Sequence, residues 1–225
     1  MCRNTRRMRR SALIGVVVSL WSCLGGVPAP VSAEDHTPTR LSDWFEQEHQ
    51  FLQRYLKVLR QAAHDYSYGY CTPMLMMPIV VDLFSGYVAP IHDAEEQIIY
   101  PTLKAHLEEA QAHELWLVQA DEGVERETVK SLTDDIAQYE AGQKKLTEVG
   151  DRIDYLARMI NRHIVLEEQR VLPQLNLLSA NEQQAILQHL ATFERERLGP
   201  SGRVRYDQLL DYLQAAIDAL GGRVW

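Results

Sequence analysis

Four stretches of this chain carry apolar residues at alternating steps of three and four, the spacing that lays one stripe of a helix against a core. Phe45, His49, Leu52, Leu56, Leu59 and Ala63 form the first stripe, which begins after Leu41. Phe84, Val88, His92, Ile99 and Leu103 form the second; Pro78 and Pro90 are placed to bend it, and Pro101 to end or kink it. The third is the most regular: Leu115, Val118, Glu122, Glu125, Val129, Leu132, Ile136 and Tyr139 keep the rhythm without a break. The fourth runs through Leu146, Val149, Ile153, Leu156, Ile160, His163 and Glu167. Ser179-Ala180-Asn181-Glu182 then reads as a capping box opening a further helix, and residues 206–220, before Gly221-Gly222, as the last. No segment reads as a convincing strand. The pattern predicts an all-α protein: an antiparallel four-helix bundle over residues 41–178 with C-terminal helical additions over 179–225.

The polar residues inside these stripes change the picture. A lone histidine on an apolar stripe is usually a satisfied core residue, and His49 by itself implies no more. Glu122 and Glu125, however, stand where apolar residues belong, and a buried carboxylate is costly unless paired or bound to a cation. Arg126 or a nearby helix end is the plain alternative for both. Two phrases then repeat. His92-Asp-Ala-Glu-Glu-Gln-Ile-Ile-Tyr-Pro-Thr-Leu103 and His163-Ile-Val-Leu-Glu-Glu-Gln-Arg-Val-Leu-Pro-Gln-Leu175 each put a histidine one helical turn before Glu-Glu-Gln, then an apolar run, a proline and a leucine. Residues three or four apart share a helix face, so each phrase aims an imidazole and a carboxylate at one point. Together the inner faces offer His49, His92 with Glu95 or Glu96, Glu122 with Glu125, and His163 with Glu167. Imidazole nitrogen with carboxylate oxygen suits iron, manganese or zinc, and carboxylates can bridge two ions. The stripes hold no cysteine, which argues against a structural zinc site.

These residues resemble the hemerythrin-like domains, which hold a non-haem di-iron centre in a four-helix bundle. The family pattern is a histidine on the first helix, His-x-x-x-Glu on the second, histidine on the third and His-x-x-x-Glu on the fourth. Glu48-His49 resembles the first element, and His163-Ile-Val-Leu-Glu167-Glu-Gln with Pro173 closely matches the last. The second and third elements depart from it. Counted back from Pro101, Glu95 is the counterpart of Glu167, and the histidine belongs at Ile91; His92 lies one place late. Either it pairs with Glu96 in a shifted helix, or it reaches the site from an offset angle. On the third helix Asp121-Glu122-Gly-Val-Glu125-Arg126-Glu-Thr-Val129 resembles the relatives' Asp-His-x-x-Gly-Arg-x-x-Val, with Glu122 in place of the histidine. The resemblance implies a metal set of His49, His92, Glu95, Glu96, Glu122, His163 and Glu167 around one or two non-haem irons, open to a diatomic ligand such as oxygen. The extra carboxylate, a harder and anionic ligand, favours the ferric state and less reversible oxygen chemistry. Two other classes remain open: a di-iron oxidase or peroxidase-like enzyme with Tyr100 as a redox partner, and a metal-degenerate helical module that binds a protein partner.

The N-terminus and the charge balance set the compartment. Arg3, Arg6, Arg7, Arg9 and Arg10 precede an apolar run over residues 12–24 and a small-x-small site at Val31-Ser32-Ala33. That is the pattern of a secretory signal peptide over residues 1–33, its apolar run too short to span a bilayer, and it predicts a secreted or periplasmic protein. An ordinary Sec signal fits better than twin-arginine export through Arg9-Arg10, and Leu20-Trp-Ser-Cys23 is an atypical lipoprotein box. Cleavage after Ala33 leaves Cys71 as the one cysteine, so the fold has no internal disulfide to stand on. The formal net charge is -8 before cleavage and more negative after it. Nucleic acid and anionic membrane surfaces are poor partners for such a domain.

Overall fold

The computed structural model describes residues 38–67, 77–200 and 202–221, and every regular element among them is helical. The expected signal peptide and Cys71 lie outside the described residues. Helix α1 spans Leu41–Ser67. The second rod, α2, covers residues 77–104, α3 spans Glu109–Glu140, and α4 covers residues 146–177. Two further helices follow, α5 at Ala180–Leu198 and α6 at Gly202–Gly221. Ser179 and Glu182 form the reciprocal cap expected at the start of α5.

Side-chain pairings give the direction of each rod. Tyr55 donates to the Val80 carbonyl and Tyr87 to Glu48, so residue numbers fall on α2 as they rise on α1. His49 meets Glu167 while Arg60 meets Asn161, and Arg170, Arg162 and Arg152 face Glu114, Asp121 and Asp135. Both α1 and α3 are thus antiparallel to α4, and the four rods make the predicted up-down-up-down bundle. Gly150 permits the close packing of α1 on α4, since a Cβ there would sit 3.1 Å from the Tyr66 Cβ and 3.2 Å from the Ala63 carbonyl. All the expected stripe residues are buried except Tyr139 and Leu146, which are half-buried at the stripe ends.

Neither α2 nor α4 is a regular α-helix. Wide π turns interrupt α2 at Phe84–Val88 and Glu95–Ile99, and α4 at Glu167–Val171. Each closes with a backbone bond from the next residue to the first: Ala89 N–H to Phe84, Tyr100 N–H to Glu95, Leu172 N–H to Glu167. A proline follows each closing residue: Pro90, Pro101 and Pro173. Proline has no N–H to donate, and its ring clashes with the carbonyl four residues back, so the preceding turn opens. Pro101 therefore widens the helix without ending it, and the chain stays helical to Lys104.

The last two helices close over the α1–α2 side. Trp44 Nε1 donates to Glu194 on α5 at 2.7 Å, and Arg54 donates to Asp207 and Asp211 on α6. The Tyr206 ring packs on Gly86, where any side chain would collide with it.

Candidate metal centre

Each bundle helix delivers part of one buried cluster: His49 from α1, His92 and Glu95 from α2, Glu122 and Glu125 from α3, His163 and Glu167 from α4. Glu95 and Glu167 hold the same place in their elements, as the first residue of a π turn. Such turns often mark functional sites in helices. The duplicated Glu-Glu-Gln phrase is therefore a duplicated backbone geometry.

Glu167 is the hub. The His49 Nε2–H donates to its Oε2 at 3.0 Å, and the Tyr100 hydroxyl donates to its Oε1 at 2.9 Å. His163 Nε2 lies 3.0 Å from the same Oε2 but off the hydrogen-bonding direction, and both of its ring nitrogens remain unsatisfied. The His92 and His163 rings lie 4.6 Å apart, and His92 Nδ1 is 3.8 Å from Glu125 Oε2. His92, Glu95 and His163 each present one donor atom within 4.8 Å of the others. His92 thus reaches the cluster from its offset position: three residues from Glu95 instead of four still leaves both on one face. Glu96 reaches only the cluster's margin, close enough to Glu122 to help raise that carboxyl. Its carboxylate turns to Arg126 at 3.0 Å, at the edge of the bundle. Arg126 also bonds Asp93 and forms an ion pair with Glu122 at 3.6 Å, so the alternative partner is present, but it gives neither Glu122 nor Glu125 a hydrogen bond.

Sequence reasoning marked Glu125 as an inward residue but left it off the ligand set. The signal was there: it lies three residues from Glu122, on the same face.

Electrostatics mark the cluster as short of positive charge. Burial pushes Glu122 up to about 10 and Glu125 up to about 7, and raises Glu95 well above the usual carboxylate range, with Glu167 and Glu122 adding to it. Burial opposes charge on His163, but Glu167, Glu125 and Glu122 outweigh it and hold that imidazole at about 10. Glu167 is the reverse case: burial is overcome by His163 and His49, and its carboxylate is held well below the usual range. Burial and the neighbouring His163 push His92 well down.

Whether these residues fit a metal ion is decided by their unmet bonds. Buried polar atoms in folded proteins are nearly always partnered. Among the described residues, eleven buried side-chain nitrogen or oxygen atoms lack a hydrogen-bond partner, and nine of them belong to His92, Glu95, Glu122, Glu125 and His163. Imidazole nitrogens and carboxylate oxygens gathered from four helices, with no thiolate among the described residues, are a donor set for iron, manganese or zinc. The residues fit. A comparison with family patterns matches residues 40–175 to the hemerythrin HHE cation-binding domain. Searches of curated proteins and of solved structures gave no significant match. The match spans all four bundle helices and every residue of the cluster, and this chain belongs to the hemerythrin family of HHE cation-binding domains.

Proposed function

We propose that this chain is an exported protein whose bundle holds one or two non-haem irons and offers them to a diatomic ligand, oxygen first among them. The observation that supports this reading is the concentration of unpartnered imidazole and carboxylate atoms in one buried cluster. His49, His92 and His163 would hold the metal through ring nitrogens, and Glu167, Glu95, Glu122 and Glu125 through carboxylate oxygens. Bound iron would supply a redox-active centre able to take a small molecule at an open position. The chain does the rest. Tyr100 donates to Glu167 Oε1, which leaves Oε2 turned to the imidazoles. Phe45 sets its ring edge-on to His49, and Phe84 to His92, so apolar walls keep bulk water from the donors.

A second reading has its own observation. Four carboxylates outnumber three imidazoles, and the Tyr100 hydroxyl lies one hydrogen bond from a ligand. That balance favours a redox enzyme of the oxidase or peroxidase type over a reversible carrier. Export rests on the basic and apolar pattern of residues 1–33; no helix among the described residues is long and apolar enough to cross a membrane. Iron content and the visible spectrum of residues 34–225, in air and after reduction, separate the readings. A spectrum that changes reversibly with oxygen supports the binding protein, and bound iron without reversibility supports the enzyme. No iron after anaerobic loading with ferrous salt defeats both.

A further inference from the structure

The cluster is sealed on most sides. His92, Glu95, Glu122, Glu125, His163 and Glu167 are 0–2% exposed, and His49 is the least covered member at 5%. On the outer side of His49, at the start of α1, lies a recess of about 490 Å³. His49 forms part of its wall, together with Asp43, Glu46 and Glu168. Arg40 is the one cation of that wall, and Asp43 already pairs with it at 2.8 Å. Glu46 and Glu168 are left to set the sign of the recess.

The backbone ties this recess to the cluster. Glu167 and Glu168 are consecutive residues of the π turn, and they grip the His49 ring from opposite sides. Glu167 Oε2 takes Nε2 at 3.0 Å inside, while Glu168 Oε1 stands 3.4 Å from Nδ1 outside. The Glu168 side chain is 50% exposed, and that of Glu167 is 1% exposed. One imidazole thus separates a solvent-facing carboxylate from a buried one.

We infer that this recess is the port through which a divalent cation reaches the buried cluster, with Glu168 as its first ligand and His49 as the movable partition. This rests on reading the cluster as a cation site. An exposed carboxylate at the mouth raises the local cation concentration and speeds association, an effect that salt screens. Glu168 also draws the Nδ1 side of His49 outward; when the ring turns, Glu167 lies directly behind it. Such a residue changes the rates of uptake and loss together and leaves affinity alone, because it touches the ion only in passage.

The test is stopped-flow uptake of Co(II) by the metal-free chain, followed by visible absorption, with release followed after addition of excess chelator. Glu168→Gln, on a half-exposed side chain, leaves the fold intact and is expected to slow uptake and release by about tenfold with Kd changed less than twofold. Glu127→Gln, on the outer face of α3, controls for the loss of one surface charge and is expected to leave both rates alone. Unchanged rates in Glu168→Gln overturn the port. So does a weaker Kd at an unchanged uptake rate, which would make Glu168 a ligand of the bound ion. Failure of the wild-type chain to take up Co(II) at all is a different result, and strikes the metal-site reading itself.

Discussion

Glu122 and Glu125 stand on a stripe that apolar residues would fill without penalty, and they govern how the metal-free chain responds to pH. With Glu125 held at about 7 and Glu122 at about 10, against 4.5 in an open chain, the folded state binds more protons than the unfolded one between about pH 4.5 and 7. Glu95 is shifted in the same direction. His92, depressed from 6.5, works the other way below that pH, but is one group against four, since burial raises Glu48 to about 7 as well. Stability of the metal-free chain therefore falls as pH rises through this window. The urea midpoint is expected to be lower at pH 7 than at pH 5, and a higher one would refute the assignment. Metal must displace the same protons, so its uptake releases acid and its affinity climbs with pH. His163 lies against Glu167 and His92 alike, and His163→Ala is expected to weaken iron binding by more than about 100-fold, since even supporting residues around a metal are worth about 10–100-fold. Iron counted after desalting checks this; undiminished retention would remove His163 from the ligand set. His49, His163 and Glu167 were legible in the sequence because helical period alone puts them inside. The count back from Pro101 pointed to Glu95, but whether His92 pairs with Glu95 or Glu96 was not legible, since neighbouring residues on a helix are both near the face; burial of Glu95 and the pairing of Glu96 with Arg126 decide it.

At the scale of elements, the prolines carry more meaning than sequence reading gave them. Pro90 and Pro101 were expected to bend or end α2; each instead follows a widened turn, as Pro173 does on α4. Periodicity finds the helices because most turns are regular, but a period of 3.6 contains no term for a π turn. The signal lay in the spacing from the first residue of each turn to its proline, which is the same in all three. Pro173→Ala restores an N–H and removes the ring clash, so the turn that begins at Glu167 is free to tighten. Iron affinity is expected to drop by about tenfold, while helix content by circular dichroism stays the same. An unchanged affinity would show that the turn does not depend on its proline.

At the scale of the molecule, the C-terminal helices are part of the bundle's polar bookkeeping. Arg203 on α6 pairs with the buried Glu48 and, at 3.0 Å, with Glu194 on α5. Burial raises Glu48 to about 7 even though Arg203 and the Tyr87 hydroxyl oppose the shift. Arg203→Leu strands that carboxylate, and a loss of about 2–3 kcal/mol is expected, short of the full range for a sealed pair because Arg203 keeps some contact with water. Adding Glu48→Gln should restore part of it. A urea midpoint unmoved by Arg203→Leu would show that the pair contributes nothing. The sequence marked α5 and α6 as helices through the Ser179 capping box and the glycines at 221 and 222, yet left their docking dark: a pairing across more than 150 residues has no local spacing to reveal it.

Trp44, Glu48 and Arg54 lie on the first helix of the family pattern; Trp44 finds its hydrogen-bond acceptor, and Glu48 and Arg54 their ion-pair partners, beyond residue 175, where that pattern stops. The border drawn by shared sequence is thus not a border of self-sufficiency. A fragment cut at that line, or a chimera that grafts residues 40–175 onto a relative's tail, would carry three side chains shaped for surfaces it no longer owns. A change at any of these three positions on the first helix therefore calls for a matching change on the last two.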